Sequence, residues 1–127
     1  PGPVVRWSHR TDVDRVRLNG MEFDVEASDR AFASFPHLKG LQYQVHFNPT
    51  DSTAIALVVE VVTTDSAHAA DLSKFIEAEL PDAWRISATA TVRTALERGF
   101  ISSFVVRAVP ALSVAGLKQS RFVNHVK

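Results

Sequence analysis

The chain has 127 residues, 46% of them apolar and 22% charged, so it can bury one core and is too apolar to be disordered. Lysine plus arginine equals aspartate plus glutamate, 14 each, and this balance lacks the basic excess of a nucleic-acid-binding protein. The chain has no cysteine, which excludes disulfides and thiolate metal sites.

The sequence also lacks the signals of a membrane or secreted protein. The longest apolar run, residues 54–62, is interrupted by Glu60 and is too short to span a bilayer. The first residues, PGPVVRWSHRTD, lack the basic start and apolar stretch of a secretory signal. We therefore expect a single cytoplasmic domain over residues 1–127, with neither nucleic acid nor membrane as a partner.

A β-hairpin is the first predicted element. It covers residues 15–24, because the Asn-Gly pair that ends at Gly20 is a strong two-residue turn signal. Next, Ser28 is the predicted cap of a short helix that stops at Pro36. The predicted apolar face of this helix consists of Ala31, Phe32 and Phe35.

Two strands and a helix are predicted in the middle of the chain. Alternating apolar and polar residues over 41–47 predict a half-buried strand. The β-branched run over 54–62 predicts a strand covered on both faces. Apolar residues at helical spacing then predict a helix that is capped by Asp65 or Ser66 and ends at Pro81.

The last third of the chain completes the predicted fold. The clearest alternation, over residues 84–93, predicts a strand. Residues 95–99 favour a helical turn or a loop, residues 101–109 predict a strand that ends at Pro110, and a loop with a short basic segment follows. The expected fold class is α+β, with a small β-hairpin followed by a compact three- to four-stranded sheet and helices packed on one face.

Two segments at opposite ends of the chain carry recognisable motifs. Residues 10–24, RTDVDRVRLNGMEFD, are similar to the stretch GRxDDxVKxRGxRIEPxEIE, which opens the C-terminal domain of adenylate-forming (AMP-binding) enzymes. Residues 116–123, GLKQSRFV, are similar to the terminal SGKxxR of the same family, and Lys118 and Arg121 keep the Lys-x-x-Arg spacing. The order of the elements between them also resembles this family, most closely its phenylacetate-CoA ligase-like branch.

The resemblance implies that this chain is one part of an enzyme that binds its substrates in two stages. In this family a large N-terminal domain binds ATP, normally with magnesium, and a carboxylic acid. The small C-terminal domain first closes over the site to form the acyl-adenylate, then rotates to admit a thiol from coenzyme A or a carrier-protein pantetheine. The implied function is that of the C-terminal domain of an ATP-dependent, AMP-forming acyl- or aryl-CoA ligase, inactive without its N-terminal partner domain.

Seven residues acquire implied roles from the resemblance. Lys118 is the implied catalytic residue, since a mobile cation stabilises the charge that develops when a carboxylate attacks the α-phosphate. Residues 1–14 form the implied hinge, with Asp12 and Asp14 as equal candidates for its central residue. The implied cofactor-binding residues are Arg10, Arg17, Gly20 and Arg121.

Plain structural roles compete with each of these functional ones. Lys118 is otherwise a solvated lysine in a basic tail, and Gly20 is otherwise only the hairpin turn. No metal site is predicted, because no two of the five histidines have the i, i+4 spacing of a helical site. The alternative function is a stand-alone α+β binding, regulatory or dimerisation module without catalysis, since a fold does not fix a function.

Overall fold

The frame of the molecule is a five-stranded mixed sheet beside a separate hairpin. The computed structural model describes residues 12–13, 15–18, 20–65, 67–112 and 121–126. The sheet contains β1 (Asp12–Val13), β4 (Tyr43–Pro49), β5 (Ile55–Val62), β6 (Ile101–Val109) and β7 (Phe122–Asn124). The hairpin contains β2 (Arg15–Leu18) and β3 (Met21–Asp24). The strand order of the sheet is β1-β7-β4-β5-β6.

Three α-helices join these strands. They are α1 (Val25–Ala33), α2 (Ala69–Ala83) and α3 (Val92–Glu97), and a short 3₁₀ turn covers Pro36–Leu38. The strand β5 is antiparallel to β4 and parallel to β6, and parallel neighbours require a crossover, which α2 and α3 provide. The predicted α+β class is therefore confirmed. No helix in the described ranges is both long and apolar enough to cross a membrane.

One face of the sheet packs into an aromatic core that also holds the hairpin. Side chains alternate along a strand, so every second residue of β4 and β5 faces this core. Phe23 of β3 lies with its ring centroid 5.0 Å from that of Phe47 on β4. Trp84, at the end of α2, lies 6.1 Å from Phe122 on β7, and all four rings are fully buried. The hairpin is thus fixed to the sheet through its own apolar face.

The predicted strands over 54–62 and 101–109 correspond to β5 and β6. The predicted strand over 41–47 is displaced, because β4 begins at Tyr43 and ends at Pro49. Coverage of β5 on both faces is only partial. Alternate residues on the core face are buried, whereas on the other face Glu60 is buried and Val58 is half-buried.

The first helix begins earlier than predicted, and Ser28 is not its cap. The helix starts at Val25 because Asp24, in extended conformation, accepts a hydrogen bond from the backbone N–H of Glu26 at 2.7 Å. Ser28 lies inside α1, where its hydroxyl is 2.9 Å from the carbonyl oxygen of Val25. The helix ends at Ala33, so the predicted apolar position at Phe35 lies outside it.

The second helix differs from its prediction at both ends. Its N-cap is His68 rather than Asp65, and Ser66 lies outside the described residues. Asp65 instead closes the preceding turn, where its carboxylate accepts a hydrogen bond from the backbone N–H of Ala67. At the other end the helix continues past Pro81 to Ala83, so the proline does not terminate it.

The prediction of a strand over residues 84–93 is wrong. Residues 84–91 are a loop with an isolated bridge between Arg85 and Thr91, and α3 begins at Val92. Thr91 and Thr94 form a reciprocal capping box, in which each side-chain oxygen accepts the other residue's backbone N–H. This local cap stabilises a helix start where alternation alone indicated a strand.

Candidate functional site

Arg121 is a predicted site residue whose surroundings are described in detail. It lies immediately before β7, and its carbonyl oxygen accepts a hydrogen bond from the backbone N–H of Val45 at 2.6 Å. Its Nε lies 2.9 Å from Oδ1 of Asp29 on α1. Its guanidinium carbon is 5.8 Å from the centroid of the Tyr43 ring. The side chain is therefore held by an ion pair and by an aromatic face, two contacts that suit guanidinium geometry.

Tyr43 links this arginine to the interior of the domain. Its hydroxyl donates a hydrogen bond to Oδ1 of Asp29 at 2.5 Å and lies 2.6 Å from Oγ of the fully buried Ser28. Burial, together with the hydrogen bond to the Asp29 carboxylate, raises the pKa of Tyr43 above its ordinary value. Tyr43 therefore stays neutral and keeps the proton that it donates. The Asp29 carboxylate thus joins the phenol and the guanidinium.

A cavity of about 280 Å³ opens beside this cluster. Apolar side chains of Phe32, Leu38 and Leu41 line one part of it, while Asp29 and Arg121 line another. The Phe32 ring stacks on that of Tyr43 at a centroid distance of 4.1 Å, so part of the cavity lining is aromatic. A cavity of this kind suits a small molecule with an apolar body and a polar end.

The sheet brings together residues from the two segments that resemble the adenylate-forming enzymes. In the register of β1 with β7, Asp12 is opposite Val123 and Val13 is opposite Phe122. The predicted hinge residue Asp12 thus lies on the strand next to the one that follows Arg121. Three other predicted site residues, Arg10, Asp14 and Lys118, lie outside the described residues.

The remaining predicted site residues, Arg17 and Gly20, lie on the hairpin. Gly20 occupies the turn with φ of 81°, a conformation that favours glycine. Arg17 is largely exposed, and its guanidinium lies 3.6 Å from the carboxylate of Glu22, which is also 3.1 Å from Arg15. These exposed pairs contribute little to stability, about 0 to 1 kcal/mol each.

A second cavity, of about 210 Å³, lies beside the turn. It is bordered by Gly20, by the exposed Phe100 and by Arg98. Three hydroxyl-bearing residues also line it, namely Ser87, Thr89 and Thr94. Hydroxyls can donate to and accept from amides, and a guanidinium can bind a phosphate. The lining therefore offers hydroxyl and guanidinium groups that suit a ligand with amide and phosphate groups.

Sequence reasoning missed the partners of Arg121. Asp29 was not singled out at all, Ser28 was predicted only as the cap of the first helix, and Tyr43 only as one residue of an alternating strand. No spacing signal connects these positions, because the contacts arise when α1 packs beside β4. Within the described ranges, no group of three or more His, Asp or Glu side chains could hold a metal ion.

Comparisons with known proteins give a slight similarity to a solved structure. No protein-family model and no curated protein matches the chain. Among solved structures, the chain is similar to 2-hydroxyisobutyryl-CoA ligase in the postadenylation state, in complex with R3-HIB-AMP. The sequence identity is 14% and the TM-score is 0.45, over 87% of this chain and 21% of that one. The chain thus spans 21% of that ligase's length, and the similarity is too low to assign a family.

Proposed function

We propose that this chain is the mobile C-terminal domain of an ATP-dependent, AMP-forming acid–thiol ligase. In this proposal it closes over an ATP-binding N-terminal domain, supplies Lys118 for adenylation, and then presents its hairpin for thioester formation. The proposal starts from the sequence resemblance of residues 10–24 and 116–123 to the adenylate-forming enzymes. The phenylacetate-CoA ligase-like branch is the preferred one.

The single observation that supports this function most is the pairing of β1 with β7. It brings the proposed hinge, at Asp12, next to the strand that follows Arg121. Lys118 precedes Arg121 by only three residues, and three residues of extended chain reach about 10 Å at most. A hinge motion at Asp12 would therefore carry the terminal segment with it, as a domain that alternates between two orientations requires.

The Asp29–Arg121–Tyr43 cluster supports a structural role for Arg121 within this function. An arginine already paired with a carboxylate has less positive charge to offer a phosphate. We therefore assign Arg121 the task of fixing the segment that bears Lys118, and we leave direct phosphate contact to Lys118. The cavity beside Gly20 is the proposed path of the pantetheine arm, with Arg98 as the residue for its phosphate.

The two half-reactions of the complete protein that contains this chain test the role of Lys118. We expect Lys118→Ala to slow ATP–pyrophosphate exchange on the order of a hundred- to thousand-fold, because it removes a cation from the adenylation transition state. The rate of thioester formation from supplied acyl-adenylate should remain close to that of the wild type. Exchange is measured with aryl and acyl carboxylic acids as substrates.

The matched control is Lys74→Ala, since Lys74 is an exposed lysine on α2 and has no proposed role. It should leave both half-reactions unchanged. An equal loss in both half-reactions for Lys118→Ala would remove Lys118 from the proposed role. An intact-mass measurement of the native gene product shows whether an ATP-binding domain is part of the same chain.

The second candidate function is a stand-alone binding or regulatory module. The cavity beside Tyr43 and Arg121 favours it, because that cavity needs no second domain to be complete. A native product of 127 residues that co-purifies with no ATP-binding protein would support this module and contradict the ligase. A titration with small carboxylates, monitored through the NMR signals of Tyr43 and Arg121, would then test whether the cavity binds a ligand.

A further inference from the structure

The cavity beside Tyr43 carries one pair of opposite charges. Among the described residues that line it, Asp29 is the only acid and Arg121 the only base. Tyr43 adds no charge, because its raised pKa keeps the phenol protonated. The charges of this lining therefore sum to zero. A ligand with a net charge is attracted by one member of the pair and repelled by the other.

Both members of the pair keep hydrogen-bonding capacity for a ligand. Nε of Arg121 lies 2.9 Å from Oδ1 of Asp29, and the same oxygen accepts a hydrogen bond from the Tyr43 hydroxyl. A guanidinium has more N–H donors, and a carboxylate more acceptor sites, than these contacts occupy. The side chain of Arg121 is 50% exposed and that of Asp29 is 44% exposed, so a small molecule can reach both groups.

We propose that this cavity is a binding site for a free α-amino acid with an apolar side chain. The ammonium group of the ligand binds the Asp29 carboxylate, and the ligand's carboxylate binds the guanidinium of Arg121. These two ligand groups share one carbon, so the nitrogen and the carboxylate carbon are about 2.5 Å apart. This spacing is close to the 2.9 Å between Arg121 and Asp29, so the dipoles of ligand and protein can lie antiparallel.

The size and lining of the cavity fit the remainder of such a ligand. Its volume of about 280 Å³ is small for a ligand pocket, since such pockets usually have about 300 to 1,000 Å³. It therefore suits a molecule with few heavy atoms. Phe32, Leu38 and Leu41 line its apolar part, and burial of an aliphatic side chain there removes apolar surface from water.

This inference goes beyond the proposed ligase and does not depend on it. Arg121 is already paired with a carboxylate, which disfavours a phosphate, but a neutral dipolar ligand can bind to the intact pair. Asp29 lies on α1 and Arg121 immediately precedes β7, so a bound amino acid would link these two parts of the chain. The site is complete without an ATP-binding domain.

Four compounds test the three features of the ligand separately. The ¹⁵N-labelled chain is titrated with L-leucine, and the backbone amide signals of Gly40 and Leu41, which line the cavity, report binding. N-acetyl-L-leucine lacks the ammonium group, L-leucinamide lacks the carboxylate, and glycine lacks the apolar side chain. Each should bind at least about tenfold more weakly than L-leucine, because it loses a charged contact or a buried side chain.

Two results of this titration would overturn the proposal. One is the absence of any shift at Gly40 and Leu41 with L-leucine at about 10 mM, a concentration above the dissociation constant expected for even a weak site. The other is an affinity for N-acetyl-L-leucine or L-leucinamide equal to that for L-leucine. The second result would show that the cavity recognises an apolar body or a single charge, and not a zwitterion.

A variant that fills the cavity tests its location. Ala33 is the last residue of α1, is exposed and lines the cavity, so Ala33→Leu should weaken L-leucine binding at least about tenfold. Leucine is a good helix former, so the fold should be kept. The matched control is Ala70→Leu, since Ala70 is an exposed alanine on α2 outside the lining. Unchanged binding by Ala33→Leu would overturn the proposal.

Asp29→Asn tests the ammonium contact. It should abolish the preference for L-leucine over N-acetyl-L-leucine, because the carboxylate that distinguishes them is gone. A preference kept in this variant would contradict the assigned role of Asp29. If the variant does not fold, the comparison of Ala33→Leu with Ala70→Leu still decides. None of these titrations contains ATP, so failure of the ligase proposal in the exchange assay would leave the amino-acid site standing, and the reverse also holds.

Discussion

At the scale of single residues, the side-chain position of Arg121 depends on the carboxylate of Asp29, which is far from it in sequence. Asp29 accepts a hydrogen bond from Tyr43 and forms an ion pair with Arg121 at 2.9 Å. A carboxylate shared in this way orients both partners at once. Arg121 therefore anchors the chain before β7, and its side chain does not project freely towards a ligand.

The hydroxyl of Tyr43 should contribute measurably to stability. We expect Tyr43→Phe to lower the free energy of unfolding by about 1.5 kcal/mol, because it removes one hydrogen bond to a charged acceptor and one to the buried Ser28. Urea unfolding measures the effect. The control is Thr64→Val, since Thr64 is exposed and its hydroxyl has no hydrogen-bond partner within the described ranges. Identical unfolding curves for Tyr43→Phe and wild type would contradict this account.

At the scale of secondary-structure elements, the starts of the helices depend more on local hydrogen-bonding groups than on the spacing of apolar residues. Asp24 starts α1, and the reciprocal bonds of Thr91 and Thr94 start α3. The hairpin is the element in which local signal and structure agree, because Gly20 satisfies the turn and β2 pairs with β3 in full register.

The turn of the hairpin gives the prediction that belongs to this scale. Gly20 has a φ of 81°, and a Cβ added there would meet no atom within 4 Å. Gly20→Ala should therefore destabilise the domain through backbone strain alone, by about 1 to 2 kcal/mol. Gly20→Asn should cost less, since asparagine tolerates this conformation. Thermal unfolding measures both, and equal losses for the two variants would point to steric crowding instead.

At the scale of the whole molecule, residues from near both ends of the sequence pair at one edge of the sheet. β1 and β7 pair with each other, and β7 also pairs in parallel with β4. Asp12 and Val123, from the two segments that resemble the adenylate-forming enzymes, are therefore strand partners although they are 111 positions apart in sequence. Near Glu60 the sheet is buried on both faces. One face is apolar, and the other carries Glu60 and His46.

The stability of the whole molecule should depend on pH through His46. Burial lowers the pKa of His46 below its ordinary value of about 6.5, which the unfolded chain retains. Between the pKa of His46 in the folded protein and its pKa in the unfolded chain, the unfolded state binds more protons than the folded state. The free energy of unfolding therefore falls as pH decreases through this window. The stabilisation that depends on neutral His46 is fully present above the unfolded pKa.

Urea unfolding between pH 5 and pH 8 checks this dependence, with His46→Gln as the comparison. The variant should show a flatter profile over the same range. The exposed His68 acts in the opposite direction, because the Asp65 carboxylate raises the pKa of His68. His68→Gln should therefore steepen the profile slightly or leave it unchanged. A wild-type protein that gains stability on acidification below pH 6.5 would contradict the role of His46.

The sequence by itself determined the hairpin at Gly20, the strands over 54–62 and 101–109, the amphipathic α2 and the α+β class. Each of these depends on contacts between near neighbours, which periodicity and turn residues express directly. It also placed Arg121 among the site candidates.

Only the tertiary structure decided the features that join distant residues. The short β7 is a strand because β1 and β4 lie on either side of it, and nothing in the residues Phe122–Asn124 specifies those partners. Asp29 meets Arg121, and His125 meets His46, across 92 and 79 positions of sequence. Strand pairing sets such juxtapositions, and a pairing register is chosen by the burial of the whole sheet rather than by any local pattern.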